Sequence, residues 1–178
     1  MYLCCDTAEK RMTIPTIDEK NLDDVLREVH QKLESYLHVR GMRLTPERSA
    51  IVDVVYSTEG HLTIDKIHHE LMERRFPVSL ATLYNNMVML IDAQLLARHY
   101  FGPDAVYERV YGIEPHYHRV CKQCGLVQDV HFDALTQFIS AKRVRGFFVD
   151  PSYLCVYGLC GKCHAALRRK EKKYSKKQ

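Results

Sequence analysis

Four segments in the first half of the chain carry apolar residues at intervals of three and four positions, the periodicity of helices that bury one face. Thr45 and Pro46 introduce the second segment, since threonine caps helices well and proline suits the first helical position. Thr63 stands before the third segment as an N-cap residue, and Ser79 starts the fourth segment. The pattern therefore predicts four helices between residues 21 and 94.

Two short strand-like runs follow, "LLARHY" and "AVYERVY", and the joining "FGPD" contains the turn formers Gly102 and Pro103. Helices followed by such a hairpin are the plan of a winged helix, whose third core helix enters the major groove of DNA. The fourth predicted helix buries one apolar side, which consists of Leu80, Leu83, Met87, Leu90 and Ile91. Its opposite face carries Ala81, Thr82, Tyr84, Asn85 and Val88. This face either reaches base edges and phosphates or is only solvated, and the pattern leaves both readings open.

The pattern changes beyond Gly112, where shorter runs predict two strands around a knuckle, one helix and a strand-rich segment. The predicted fold class is α+β. A winged-helix DNA-binding domain at residues 21–111 precedes a small α/β dimerisation and metal-binding domain at residues 112–167. Residues 1–20 are predicted to form a flexible N-terminal extension, and residues 168–178 a basic disordered tail.

Composition and charge narrow the class of protein only in part. The 178 residues contain no apolar run of eighteen and no secretion signal, so we expect a cytoplasmic protein without a membrane partner. In such a reducing compartment seven cysteines favour zinc binding over disulfides. The net charge of +4 does not indicate DNA binding, because residues 168–178 alone carry seven basic side chains and one acidic one.

Two C-x-x-C pairs, Cys121 with Cys124 and Cys160 with Cys163, are separated by thirty-five residues. Each pair places two thiolates on one edge of a tetrahedron, so the two pairs together predict a closed Cys₄ site for Zn²⁺. A closed thiolate site is structural and stabilises the fold. The alternative is two unrelated pairs of buried or redox thiols. Cys155 lies in an apolar run and is predicted to be a small core residue.

His116 and His118 alternate along an extended segment, so their imidazoles point to the same side. Two nitrogens make a weak metal site, and the candidates for further donors are Asp129, Glu108 and His61. Three imidazoles and two carboxylates suit a divalent ion such as Fe²⁺, Mn²⁺ or Zn²⁺. Alternatively, the two histidines are ordinary surface residues. The other histidines are interpreted as ordinary: His30, His38, His68, His69, His99, His131 and His164.

Four motifs stand in an order and spacing that resemble the ferric uptake regulator (Fur) family of bacterial repressors. They are "RLTPER" (43–48), "SLATLYNN" (79–86), "HYHRVCKQCG" (116–125) and "YGLCGKC" (157–163). The resemblance runs from about Asn21 to Leu167. It implies a winged-helix domain, a hinge and a dimerisation domain, and metal-dependent binding of a homodimer to palindromic double-stranded operator DNA. It also implies that the Cys₄ zinc site is structural.

Carried over residue by residue, the family's regulatory metal site falls on five residues of this chain: His61, Glu108, His116, His118 and Asp129. These ligands divide between the two predicted domains, so the resemblance implies that a bound ion fixes the angle between them. Tyr84 resembles the family's base-contacting tyrosine, and Arg43 its basic residue for the minor groove. The phosphate contacts expected by the same resemblance are Ser79, Thr82 and Asn86.

One family feature is predicted to be absent from this chain. Some members carry a third metal site, but the corresponding positions hold Tyr117, Thr136 and Ser152, whose side chains bind metal poorly.

The sequence leaves three functions to compare. Glu108 favours an iron-responsive repressor of iron homeostasis. The motif "SLATLYNN" and Asp129 favour a peroxide sensor of the same family, in which peroxide oxidises His61 or His116 of the Fe²⁺-loaded protein. A zinc-dependent hydrolase is disfavoured, because five protein donors leave little room for water and substrate and the chain has no H-E-x-x-H motif. We therefore expect a regulator and not an enzyme.

Overall fold

The computed structural model describes residues 19–114, 116–141 and 154–175. It divides into two compact units, and the boundary falls between residues 114 and 115. None of the helices in these residues is long and apolar enough to cross a membrane.

The first unit contains the four predicted helices and the predicted hairpin, which are confirmed. Its elements are α1 (Glu19–Val39), α2 (Pro46–Ser57), α3 (Ile64–Glu73), α4 (Leu80–Asp92), β1 (Leu96–His99) and β2 (Val106–Arg109). Thr45, Thr63 and Ser79 are the N-caps of α2, α3 and α4, and each side-chain oxygen accepts a hydrogen bond from the backbone N–H three residues later. The local start signals in the sequence therefore set where these helices begin.

The core of this unit lies among the four helices and continues under the hairpin. Leu33 of α1, Ile51 of α2 and Leu83 of α4 are fully buried in it. The Tyr56 hydroxyl donates to the carbonyl of Leu95 at 2.7 Å, which ties α2 to the base of the hairpin. Burial raises the pKa of Tyr56 well above its usual value, so its hydroxyl stays protonated and donates.

A short backbone bridge joins the hairpin to the loop that precedes α3. The N–H of Leu62 donates to the carbonyl of Tyr107 at 2.8 Å, and the N–H of Tyr107 donates to the carbonyl of Leu62 at 2.7 Å. His61 directly precedes Leu62 in the chain, and Glu108 directly follows Tyr107. This pair of hydrogen bonds therefore fixes His61 next to Glu108. The bridge thus sets the position of two of the predicted ligands.

The second unit contains a three-stranded sheet with β3 (Tyr117–Cys121) in its centre. β4 (Val127–Val130) pairs antiparallel with it, and β5 (Cys155–Gly158) pairs parallel. The helices are α5 (Asp133–Ala141) and α6 (Gly161–Ser175). Parallel strands need a crossover connection, and α5 lies in the chain between β4 and β5.

Helix α6 corrects one prediction. Residues 168–178 are predicted to be disordered, but α6 continues from Gly161 to Ser175. The prediction interpreted a run of like charges as a solvated end. The run has no glycine or proline beyond Gly161 and is rich in lysine and arginine, which are good helix formers, and basic side chains near a helix C-terminus stabilise its dipole. The predicted extension, residues 1–20, falls almost entirely outside the described residues.

Candidate metal centres and DNA-binding face

The four cysteines of the two C-x-x-C pairs come together in the second unit. Cys121 ends β3, and the register of β3 with β5 places Gly158 beside it, which brings the second pair next to the first. All four sulfur atoms lie within 4.8 Å of one another, and the Sγ atoms of Cys124 and Cys160 are 3.8 Å apart. Four Zn–S bonds of about 2.3 Å in a tetrahedron separate the sulfurs by about 3.8 Å. The residues therefore fit a Cys₄ zinc site.

The ionisation of these thiols reflects how closely they are packed. Burial opposes ionisation of Cys121, but backbone N–H groups outweigh it, including that of Cys160 at 3.2 Å, and lower the pKa of Cys121 to about 6. Burial raises the pKa of Cys124 to about 11. A hydrogen bond with Cys160 and burial raise the pKa of Cys163. The thiol of Cys121 thus ionises readily. A bound divalent cation would stabilise all four cysteines of the group as thiolates.

In the first unit, His61, Glu108 and His99 converge. The Nε2 atom of His99 is 3.0 Å from Oε2 of Glu108, and the Nε2 atom of His61 is 3.6 Å from the same oxygen. All three residues are buried, with at most 7% of any of them exposed. A buried carboxylate is stable only with a compensating charge or strong hydrogen bonds, which is the environment of a metal ligand.

His99 is a residue that the sequence analysis missed, since it was interpreted as ordinary. The register of the hairpin pairs Glu108 with Ala97, so His99, two residues further along β1, lies on the same face as Glu108. In the sequence, Ala97 and His99 are two positions apart and therefore share one face of a strand. That Glu108 lies on this same face becomes clear only when the strand register is known.

In the second unit, His116, His118 and Asp129 converge. Donor atoms of the three residues lie within 4.8 Å of one another, and the ring centroids of the two histidines are 4.9 Å apart. Asp129 is the partner of His118 in the register of β3 with β4, and its Oδ1 atom is 3.5 Å from Nε2 of His118. Only 1% of His118 is exposed. Of the five predicted regulatory ligands, the structure thus brings two together in one unit and three in the other.

The exposed face of α4 carries part of the predicted DNA-binding set. Tyr84 is 52% exposed, and Asn85 is also exposed. Arg43, before α2, is exposed as well. Leu80 and Val88 flank Tyr84 at a spacing of four residues and are 47% and 52% exposed, so the sequence-based assignment of Leu80 to the buried face was wrong.

The remaining residues of that set are engaged with α4 itself. The hydroxyls of Ser79 and Thr82 are hydrogen-bonded at 2.8 Å. The side-chain amide of Asn86 donates to the carbonyl of Thr82 at 2.7 Å, and only 8% of Asn86 is exposed. Ser79 and Thr82 remain at the start of α4, where backbone N–H groups attract anions. Asn86 is turned towards its own helix.

At the positions predicted to lack a third metal site, Tyr117 and Thr136 contact each other, and their hydroxyl oxygens are 2.9 Å apart. Ser152 lies outside the described residues.

Comparison with known proteins identifies the family. The ferric uptake regulator family model matches residues 39–154. The chain belongs to the ferric uptake regulator family. It is 35% identical over 138 residues to the peroxide operon regulator of Bacillus subtilis, a match that covers 76% of this chain and 93% of that protein. It is 30% identical over 143 residues to the peroxide-responsive repressor PerR of Staphylococcus epidermidis, covering 80% and 94%.

Solved structures of the family give the same result. The ferric uptake regulator of Pseudomonas aeruginosa with manganese has a TM-score of 0.62 and 29% identity, covering 72% of this chain and 97% of that one. That of Helicobacter pylori has a TM-score of 0.61 at 16% identity, covering 86% and 97%, which supports the fold. The predicted ferric uptake regulator family and fold class are therefore confirmed: a winged-helix domain followed by a small α/β dimerisation domain. Regulators of this family are dimeric DNA-binding repressors.

Proposed function

We propose that the chain is a metal-responsive transcriptional repressor of iron homeostasis, which binds palindromic operator DNA as a homodimer in the cytoplasm. The observation that carries this proposal is the division of a metal-ligand set over two units. His61 and Glu108 lie together in the winged-helix unit, while His116, His118 and Asp129 lie together in the other. Imidazoles and carboxylates in these numbers suit Fe²⁺, Mn²⁺ or Zn²⁺.

A ligand set divided in this way makes DNA binding depend on metal. When bound, a divalent ion supplies a bond between the two ligand groups. The chain reaches the second unit through the segment after β2, where Gly112 adopts a φ of +76° that favours glycine. The proposal requires this segment to bend, so that only one range of bend angles lets all five residues bind one ion. The ion's differential affinity then favours that range.

In a homodimer the same bend sets the spacing of the two recognition helices. Two half-sites of a palindrome are about 34 Å apart, so only a dimer with matching spacing engages both. Helix α4 is the recognition helix in this proposal, with Tyr84 and Asn85 at base edges and Arg43 in the minor groove. Ser79 and Thr82 contact phosphate. Asn86, which is buried and donates to the carbonyl of Thr82, is the third phosphate contact of this proposal.

The Cys₄ site holds Zn²⁺ and is structural in this proposal. Its four thiolates leave no position for water or substrate, so it performs no hydrolysis. The five regulatory donors also nearly fill the coordination sphere of one ion. We therefore assign the chain no enzymatic activity.

Selection of bound sequences from a random pool of double-stranded DNA tests the repressor function. We expect protein loaded with Fe²⁺ under anaerobic conditions to enrich a two-fold symmetric sequence, because a dimer contacts two equal half-sites. Protein depleted of the regulatory ion by mild chelation should enrich no such sequence. Equal enrichment with and without the ion would contradict a metal-responsive repressor. If no sequence is enriched in either case, sequence-specific DNA binding is itself contradicted.

Peroxide sensing is a second candidate function. The observation that favours it is the identity of 35% and 30% to regulators named for their response to peroxide. In this variant, peroxide transfers one oxygen atom to an imidazole carbon of His61 or His116, and the second oxygen leaves as water. The altered imidazole binds the ion more weakly, and the repressor releases DNA.

Mass spectrometry of peptides distinguishes the two candidates. After treatment of the Fe²⁺-loaded protein with peroxide, the second candidate predicts that the His61 or His116 peptide gains the mass of one oxygen atom. The same treatment of Mn²⁺-loaded protein is the control and should leave both peptides unchanged. If neither peptide gains oxygen in the Fe²⁺-loaded protein, iron sensing is supported.

A further inference from the structure

A row of three potential metal ligands crosses the sheet of the second unit. His118 in the central strand β3 is the register partner of Asp129 on β4 and of Cys155 on β5. Residues that are partners in a sheet project their side chains to the same face. The thiol of Cys155 therefore lies on the same side of the sheet as the imidazole of His118 and the carboxylate of Asp129.

The distances in this row are close to those of a metal site. The Cys155 sulfur lies within 4.8 Å of a ring nitrogen of His118. Oδ1 of Asp129 is 3.5 Å from Nε2 of His118, and His116 has a donor atom within 4.8 Å of both residues. Six ligands that bind one ion at 2.0–2.3 Å lie about 3 Å from their neighbours in an octahedron. His118 is therefore the residue that joins the sulfur of Cys155 to the group of His116 and Asp129.

The surroundings of Cys155 differ from those of a core residue. It is partly exposed, and the three residues that follow it in β5 are exposed. The sequence-based interpretation of Cys155 as a small core residue was therefore wrong. His118 and Asp129, in contrast, have side chains that are only 1% exposed. The row runs from a buried carboxylate to a sulfur at its accessible end.

We propose that Cys155 binds the regulatory ion through a thiolate, together with His116, His118 and Asp129. This inference rests on the proposed function, because it assumes that the regulatory ion binds at these histidines. It adds a sulfur donor to a set that otherwise has only nitrogen and oxygen donors. The thiol loses its proton to solvent when the sulfur binds the ion.

A sulfur donor has a consequence for the choice of metal. Thiolates are soft ligands that favour Zn²⁺ and Co²⁺, whereas carboxylate and water suit Mn²⁺. Cys155 therefore raises the affinity of the site for Zn²⁺ and Co²⁺ much more than its affinity for Mn²⁺.

Titration with Co²⁺ tests the thiolate directly, because sulfur bound to Co²⁺ absorbs in the near ultraviolet. The full chain is used with zinc retained in the Cys₄ site and the regulatory site emptied by mild chelation. One equivalent of Co²⁺ per chain is expected to produce the absorption band. Cys155→Ser should bind Co²⁺ without the band and at least about 10-fold more weakly, while its affinity for Mn²⁺ changes less.

Val156→Ser is the matched control, because Val156 is the next residue of β5 and its side chain, 48% exposed, points to the opposite face. This variant should keep the band. Zinc content is measured throughout, so that exchange of Co²⁺ into the Cys₄ site is recognised. The proposal is overturned if wild-type protein binds Co²⁺ without the band, or if Cys155→Ser shows the same band.

Alkylation of the unmodified protein gives a second measurement that needs no variant. Iodoacetamide should modify the partly exposed Cys155, and Co²⁺ should slow this reaction at least 10-fold because the bound sulfur is a poor nucleophile. An unchanged rate under saturating Co²⁺ overturns the proposal. The proposed regulatory function would fail on a different result, namely that metal has no effect on DNA binding. The absorption band and the alkylation rate do not depend on DNA binding, so the two failures can be distinguished.

Discussion

Replacing Cys121 with serine is expected to unfold the dimerisation domain. The domain has a small sheet, and Cys121 connects the end of its central strand to the second cysteine pair. Zinc binding to structural sites is worth about 10 to 16 kcal/mol in small zinc domains, which exceeds the stability of most domains of this size. Wild-type protein should hold one zinc per chain through mild chelation. Circular dichroism, zinc analysis and sedimentation should show that Cys121→Ser loses ordered structure, zinc and the dimer.

The matched control is Cys155→Ser, the same exchange on the neighbouring strand of the sheet. Cys155 lies outside the group of four thiols, so this variant should retain zinc, fold and dimer. A Cys121→Ser protein that is folded and dimeric without zinc would show that the metal is not a structural element.

Replacing His118 with alanine is expected to abolish the effect of metal on DNA binding. His118 is in the centre of its ligand group, beside both Asp129 and Cys155 in the sheet. Its loss should lower operator affinity in the presence of Fe²⁺ to the metal-free value, a change of about 5- to 150-fold if the coupling has the usual size. Fluorescence anisotropy with the selected operator measures this affinity. The Cys₄ zinc should be retained, because the two sites share no ligand.

His69→Ala is the matched control for this experiment, since His69 is an exposed histidine on α3. It should respond to Fe²⁺ as the wild type does. A metal response in His118→Ala equal to that of the wild type would remove the proposed switch, and the zinc site and the winged helix would remain as structure alone.

The helices and the hairpin were predictable because their signals are local. Thr45, Thr63 and Ser79 each cap the helix that the sequence placed after them. A side chain that accepts a hydrogen bond from three residues away needs no information about the rest of the fold. Helix α6 was missed because its charged run has no apolar stripe, although its helix propensity is high.

How far each metal centre was predictable also depended on whether its signal in the sequence is local. Each C-x-x-C pair fixes half of a tetrahedron by itself, so the Cys₄ group followed from spacing. His99 and Cys155 were interpreted as ordinary because their neighbours are set by strand register, which the hydrophobic pattern does not determine in short strands. The exposure of Leu80 was missed because it lies at the very start of α4, where the apolar face has just begun.

The two hydrogen bonds between Leu62 and Tyr107 have a consequence for how a signal is received. They hold His61 beside Glu108 as soon as the winged helix folds, before any ion arrives. The loss of conformational entropy on ordering these two side chains therefore belongs to folding and not to detection. A cation that reaches this pair meets ligands that are already in place, so ordering them does not weaken its binding.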